Sequence, residues 1–261
     1  MLKKRIIFSL LYKDGMFCLS RNFRLQEIGD IDWLLKSYNF EDLSGAIDEL
    51  IILDVGSQKK SKEKFFYDIA EIIKNFFVPI TIGGKIRSLN DAREYFLAGA
   101  DKISLNTLYV ENEMVAYEIS KVYGSQAVVA SIDYKKEFAD NEINYKVYDN
   151  NSKSMSLDLL HHIKQVQQFG CGEILLRSIE NDGTGNGLDL ELLLTLPDDL
   201  LSVPVIFAGG IGKSDHMRNG LSHPRVDAVC TANLLNFINQ GFVKARSELE
   251  LADLPISKIN Y

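Results

Sequence analysis

A basic excess, long apolar runs, paired cysteines and a dinucleotide fingerprint are all missing from this chain of 261 residues. The 29 Lys and Arg are outnumbered by 36 Asp and Glu, for a net charge of −7, and the lysines are scattered. That balance argues against a nucleic-acid or anionic-membrane surface. No apolar stretch approaches the ~18 residues that a membrane span needs. The start, MLKKRIIFSLL, imitates a signal peptide, but the run ends at Tyr12-Lys13-Asp14-Gly15 with no small-residue cleavage site. It reads instead as a first buried strand. Cys18, Cys171 and Cys230 are odd in number and lack CxxC or metal spacing. Free thiols in a reducing cytoplasm are therefore expected, with no metal or other cofactor. The absence of GxGxxG after the first apolar run counts against an open dinucleotide-binding sheet.

What the sequence does have is alternation. Eight short apolar runs recur, at Arg5–Leu11, Glu49–Asp54, Pro79–Ile82, Lys102–Leu105, Ala127–Asp133, Glu173–Ser178, Pro204–Ala208 and Ala228–Thr231. Between them lie amphipathic stretches such as Lys64–Phe77, Asn90–Ala98, Asn112–Tyr123 and Leu157–Phe169. Regular alternation of β and α implies a parallel sheet, and eight units favour closure into a (β/α)8 barrel, typically ~250 residues. A single domain over residues 1–261 is expected. The acidic stretch Glu137–Asn151 resembles a hairpin excursion after the fifth run.

The second half repeats the first. Leu11 corresponds to Asp133 (122 residues on), Glu49 to Glu173 (124) and Gly83-Gly84 to Gly209-Gly210 (126), while Ala100-Asp101 corresponds to Val226-Asp227. The expected barrel is thus two similar half-barrels, and a site at one strand should have a counterpart four strands away.

Phosphate is held by converging backbone N–H groups, which chains without Cβ obstruction supply most readily. Gly83 and Gly84 follow the third run, and Gly209 and Gly210 the seventh. Ser104 and Asn106 end the fourth, Thr231 and Asn233 the eighth, and Asp182-Gly183-Thr184 follows the sixth. Glycines after strands also make tight turns. Two such loops at symmetry-related positions favour two phosphate cradles and a small ligand carrying two phosphates.

These phrases, with Lys4-Arg5-Ile6-Ile7, Lys13-Asp14-Gly15, Ile86-Arg87-Ser88 and Gly172-Glu173-Ile174-Leu175-Leu176, resemble the HisF-like cyclase subunit of imidazole glycerol phosphate synthase over nearly the whole chain. The resemblance implies a glutaminase (HisH-like) partner at the N-terminal face of the barrel. It also implies an ammonia gate at that face, matched by Arg5, Glu49, Lys102 and Glu173. The same four charges could equally be a salt-bridge layer that stabilises the barrel. At the other end the family uses two aspartates as acid and base. Asp133 occupies one position, but the other is Leu11. A loop lysine is replaced by Leu19, a strand-six threonine by Arg177, and the third glycine after strand three by Lys85.

Leucine cannot transfer a proton, and losing one general acid or base costs ~10²–10⁴ in rate. An intact gate with an eroded cyclase site resembles HisF-like paralogues that accompany sugar amidotransferases of surface-polysaccharide synthesis, where a third, ATP-using enzyme completes the amidation. Cyclase activity in histidine biosynthesis is the alternative, since Asp14, Asp54, Asn106 and Asp182 remain with Asp133. A phosphometabolite-binding activator of the glutaminase is a further one. His161-His162 are expected on a solvated helix face, Trp33 in a helix, and Lys59-Lys60-Ser61-Lys62-Glu63-Lys64 in a solvated loop.

Overall fold

The computed structural model describes residues 3–56, 62–139, 142–232, 240–252 and 254–257. Twelve strands lie among the described residues: β1 (Arg5–Lys13), β2 (Met16–Arg21), β3 (Arg24–Gly29), β4 (Glu49–Asp54), β5 (Ile80–Gly83), β6 (Lys102–Leu105), β7 (Val128–Ala139), β8 (Glu142–Asp149), β9 (Ser154–Asp158), β10 (Glu173–Ser178), β11 (Val205–Ala208) and β12 (Ala228–Thr231). Eight pair in parallel in the order β1-β4-β5-β6-β7-β10-β11-β12, and β12 returns to β1. The result is a closed (β/α)8 barrel, with the eight expected runs as its staves.

Helices α1 (Ile31–Ser37), α2 (Phe40–Ser44), α3 (Lys62–Ile73), α4 (Leu89–Leu97), α5 (Thr107–Glu111), α6 (Glu113–Tyr123), α7 (Leu159–Gln168), α8 (Leu192–Thr195), α9 (Ser214–Ser222) and α10 (Gln240–Leu251) occupy the connections. No helix among the described residues is long and apolar enough to cross a membrane.

Alternate side chains of a strand face opposite sides of a sheet, so each stave serves two cores. Leu50 and Ile52 of β4, and Ile174 and Leu176 of β10, pack outward with the helices. Ile7, Leu11, Ile51, Leu53, Val129, Leu175, Ile206, Ala208, Ala228 and Cys230 form a separate cluster inside the barrel. Glu49 on β4, Asp133 on β7 and Glu173 and Arg177 on β10 share the inward parity.

The half-barrel repeat has a concrete bonding basis. Asp101 accepts from the Ile80 amide (2.8 Å) and donates its own to Ile80 O (2.9 Å). Asp227 does the same with Val205, both at 2.9 Å. Each aspartate therefore pins the foot of one stave to the next. Asp48 also accepts from the amide of Ile6 (2.7 Å). Before β10 the position is Gly172, where a Cβ would crowd the backbone of Ser125 and Gln126. Arg246 of α10 is buried and donates to Ala46 O (3.1 Å) and Asp48 Oδ1 (3.2 Å), which docks the last helix on the barrel foot.

Some details depart from the expectations. Residues 16–29 fold as an antiparallel hairpin, β2–β3, that no run foreshadows, because most of β3 faces solvent and carries no apolar alternation. The excursion after β7 is a three-stranded one, and its antiparallel pairing begins at Tyr134↔Val147, ahead of Glu137. His161 is exposed, but His162 is buried on α7 against Gln165 (3.0 Å), so the pair does not share a solvated face. Trp33 lies in α1 and packs edge-on to Tyr38. Asn233 and Lys59-Lys60-Ser61 lie outside the described residues, whereas Lys62-Glu63-Lys64, expected in the same loop, open α3, where Lys64 pairs with the buried Asp68 one turn on.

The paired aspartates should matter alike. Asp101→Ala and Asp227→Ala are each expected to lower unfolding free energy by ~1–3 kcal/mol, since a buried amide loses its acceptor. Urea denaturation checks this. A large loss at one site and none at the other would contradict the repeat.

Candidate functional site at the strand ends

β1 and β7, the equivalent first staves of the two halves, each run past the barrel rim into a hairpin, and the two hairpins reach over the mouth from opposite sides. Between them, at the top of the barrel interior, stand Leu11, Asp133 and Arg177.

Asp133 is fully buried. Its Cα is in register with Arg177 on the adjacent stave, and inward parity brings the side chains together. Arg177 Nε donates to Asp133 Oδ1 at 2.7 Å, while Oδ2 accepts from Asn106 Nδ2 (2.9 Å) and from Asn150 Nδ2 (2.6 Å). Three donors thus surround this carboxylate. Burial works against the Arg177 charge, but Asp133 more than offsets it and holds the guanidinium above its usual pKa. Leu11, four strands away, pairs in register with Leu53 and extends the apolar interior up to the rim.

The β2–β3 arm lies across this pair. Its turn residues Asn22 and Phe23 take positive φ (50° and 62°), which costs non-glycine residues energy and requires outside support. Asp182 supplies it: Oδ2 accepts from Ser20 Oγ (2.5 Å) and from the Phe23 amide (3.1 Å). Asn22 adds bonds to the carbonyls of Ile179 (3.2 Å) and Glu180 (2.8 Å). So held, the Phe23 ring covers the Arg177 guanidinium at 4.8 Å and meets Tyr148 of β8 edge-on.

The expected cradle residues fall into two groups. Asp182, Gly183, Gly209, Gly210 and Thr231 line one solvent-open cleft, shared with Ser9, Leu11, Ser20, Arg177 and Cys230. Gly183, Gly209 and Gly210 all have positive φ, and a Cβ on Gly210 would overlap the Gly187 carbonyl oxygen. Thr184 sits beside this group but donates to Asn181 O (2.8 Å). Burial pushes the Cys230 thiol up to about 11, so it faces the cleft protonated.

On the opposite side Gly83 is backed by Ser104, whose Cβ lies 2.8 Å from where a Gly83 Cβ would be. Lys85, at positive φ, pairs with Asp54 at 2.8 Å. Burial raises the Asp54 carboxyl above the usual range, against the pull of Lys85. Asn106 turns to Asp133 and is engaged there.

The foot of the barrel holds the four charges picked out as a gate. Arg5 bonds Glu49 and lies 2.8 Å from Glu173, while Lys102 lies 3.2 Å from Glu49 and 3.0 Å from Glu173. Signs alternate around a closed ring, so every charge has two opposite neighbours.

A closed (β/α)8 barrel with glycine-lined strand ends and a charged ring at its foot is the class that fold and site define. Comparison with known proteins places it further. Residues 19–239 match the family described as Histidine biosynthesis protein. A protein of Parasynechococcus marenigrum, provisionally named imidazole glycerol phosphate synthase subunit hisF2, is 46% identical over 98% of this chain and 96% of its own length. Subunits HisF of Pelodictyon phaeoclathratiforme (36% identical; 95% of this chain, 96% of that one) and Chlorobium limicola (34%; 98% and 99%) are also similar. The chain belongs to the histidine biosynthesis protein family, as a HisF-like barrel.

Sequence reasoning located Asp133, Arg177 and Leu11 but not their relation, and it missed Ser20, Phe23, Asn150 and Tyr148. The adjacent Asn22-Phe23 between two polar stretches was the available signal of a turn.

Arg177→Met should cost ~3–5 kcal/mol, because it strands a buried carboxylate, and adding Asp133→Leu should restore most of the loss. A double-mutant cycle in denaturant measures the coupling. Additive losses would mean that the pair is not an energetic unit.

Proposed function

We propose that this barrel conducts ammonia from a glutaminase (HisH-like) partner docked at its N-terminal face to a biosynthetic amidation, and does not run the cyclase reaction. The observation that carries this reading is the engagement of Asp133. A general acid or base must exchange a proton with substrate, and here the carboxylate is buried, paired with Arg177 and bonded by two asparagines. Its symmetry partner is Leu11, which has no proton to give.

The foot of the barrel supports the other half of the proposal. Ammonia must enter through the Arg5–Glu49–Lys102–Glu173 ring, and four mutually satisfied charges close that entrance without plugging it covalently. Within the largely apolar interior above it, Thr81 and Ser131 are buried small polar side chains. Identity to the hisF2-named relative is 46%, against 34–36% for the HisF subunits, and this favours a divergent second copy over the housekeeping enzyme. The amidated product we assign to a sugar of surface polysaccharide, completed by a third, ATP-using enzyme. The resemblance to amidotransferase-associated paralogues supports that acceptor. Three buried free thiols fit a cytoplasmic site of action.

Ammonium-dependent turnover of the bis-phosphorylated ribulosyl intermediate of histidine synthesis tests this, with Asp133→Asn as control. We expect no turnover above the control. Turnover at ordinary enzyme rates that vanishes in Asp133→Asn would establish the cyclase instead.

A further inference from the structure

We infer that Arg177 is a specificity-determining anion anchor, and that the mouth binds one phosphate monoester with a compact body instead of a bisphosphate. The inference deepens the reading above, on which it rests in one respect: the mouth is taken as rebuilt for a ligand other than the cyclase substrate.

The Arg177 guanidinium has donors to spare. Among the described residues, Nε is the one side-chain atom of Arg177 with a hydrogen-bond partner, Asp133. The two terminal nitrogens carry four N–H groups, and the side chain lines the cleft. A guanidinium held at Nε on one edge and covered by Phe23 on one face has little freedom left. What it can present is the fork of its terminal amines, which matches two oxygens of a phosphate.

The rest of the cleft agrees. Arg177 is in register with Ala208, so its side chain rises next to the loop that opens with Gly209-Gly210. The Thr231 hydroxyl and the positive-φ glycines 183, 209 and 210 line the same space. One oxyanion can therefore meet backbone amides on one side and the Arg177 fork on the other. Leu11 adds no charge to repel it, and the Asp133 charge is already matched by Arg177. Asp182, the nearby carboxylate in the lining, spends one oxygen on Ser20 and the Phe23 amide.

The same residues limit ligand length. A bisphosphate would have to run from the Gly209-Gly210 side to the Gly83-Gly84 side. Phe23, from the arm after β1, covers Arg177 and meets Tyr148 of β8 edge-on, which joins the two rim excursions above the barrel interior. On the far side Lys85 is committed to Asp54, and Asn106 to Asp133.

Titration calorimetry with inorganic phosphate, ribose 5-phosphate and ribulose 1,5-bisphosphate tests the proposal on the full chain. Wild-type protein should bind all three, the bisphosphate no more than about threefold tighter than the monophosphate. Arg177→Gln with Asp133→Asn removes the fork without stranding a buried charge, and should weaken inorganic phosphate and ribose 5-phosphate about tenfold or more. The far-ultraviolet circular dichroism and unfolding midpoint of the double variant establish that it is folded. A bisphosphate preference above about tenfold overturns the compact-ligand inference, and near-wild-type phosphate binding by the folded double variant overturns the anchor. Binding is read here without turnover, so these outcomes are separate from the presence or absence of cyclase activity.

Discussion

Every second side chain of a barrel stave points into a closed interior, and any charge placed there must find its partner inside the same ring. This molecule meets that constraint at both ends. At the foot, Arg5, Glu49, Lys102 and Glu173 satisfy one another around a four-membered cycle. At the rim, Asp133 and Arg177 satisfy each other across neighbouring staves. Between them the interior is largely apolar, built from residues such as Ile7, Ile51, Val129, Leu175 and Ile206. Removing one member of either set leaves a charge in a low-dielectric space, which costs far more than the pair itself contributes.

The two ends differ in what the pairing permits. A ring of four charges around a central axis can yield by moving one lysine, which is what the proposed conduit requires of the foot. The rim pair is braced from every side. Asn106 comes from the end of β6 and Asn150 from beyond β8, while Phe23 arrives on an arm that Asp182 ties to the loop after β10. The arm is itself held in an unfavourable turn, with Asn22 and Phe23 both at positive φ. Four separate segments thus converge to immobilise a carboxylate that, in a proton-transfer role, would need access to substrate. The foot keeps its ring of four paired charges, while at the rim the carboxylate of Asp133 is engaged and its symmetry position is Leu11.

Much of this was legible in the sequence, and the reason is periodicity. Apolar runs ending in glycine or aspartate marked the eight staves, and a near-constant spacing from Glu49 to Glu173 and from Gly83 to Gly209 marked the two halves. The repeat also aligned Leu11 with Asp133; Leu11 stands opposite Leu53 on the next stave, as Asp133 stands opposite Arg177. The β2–β3 arm was illegible because its outer strand is exposed and so has no apolar pattern to read. The Asp133–Arg177 pair was illegible for a different reason. The two residues are 44 positions apart, and only barrel register brings them opposite each other. Asp182 was correctly placed beside the second glycine loop, yet its carboxylate is spent on Ser20 and Phe23, a contact between loops that no local spacing encodes.

On the function proposed here, Arg177 withholds Asp133 from acid–base chemistry, independently of Leu11. Ammonium-dependent turnover of the ribulosyl intermediate by Leu11→Asp, compared with Leu11→Asp combined with Arg177→Thr, tests it most directly. We predict background turnover for the single variant and a gain of ~10²-fold or more when Arg177 is also replaced, since a general acid or base contributes on that scale. Full recovery by Leu11→Asp alone would contradict it, because Asp133 would then be available with Arg177 in place.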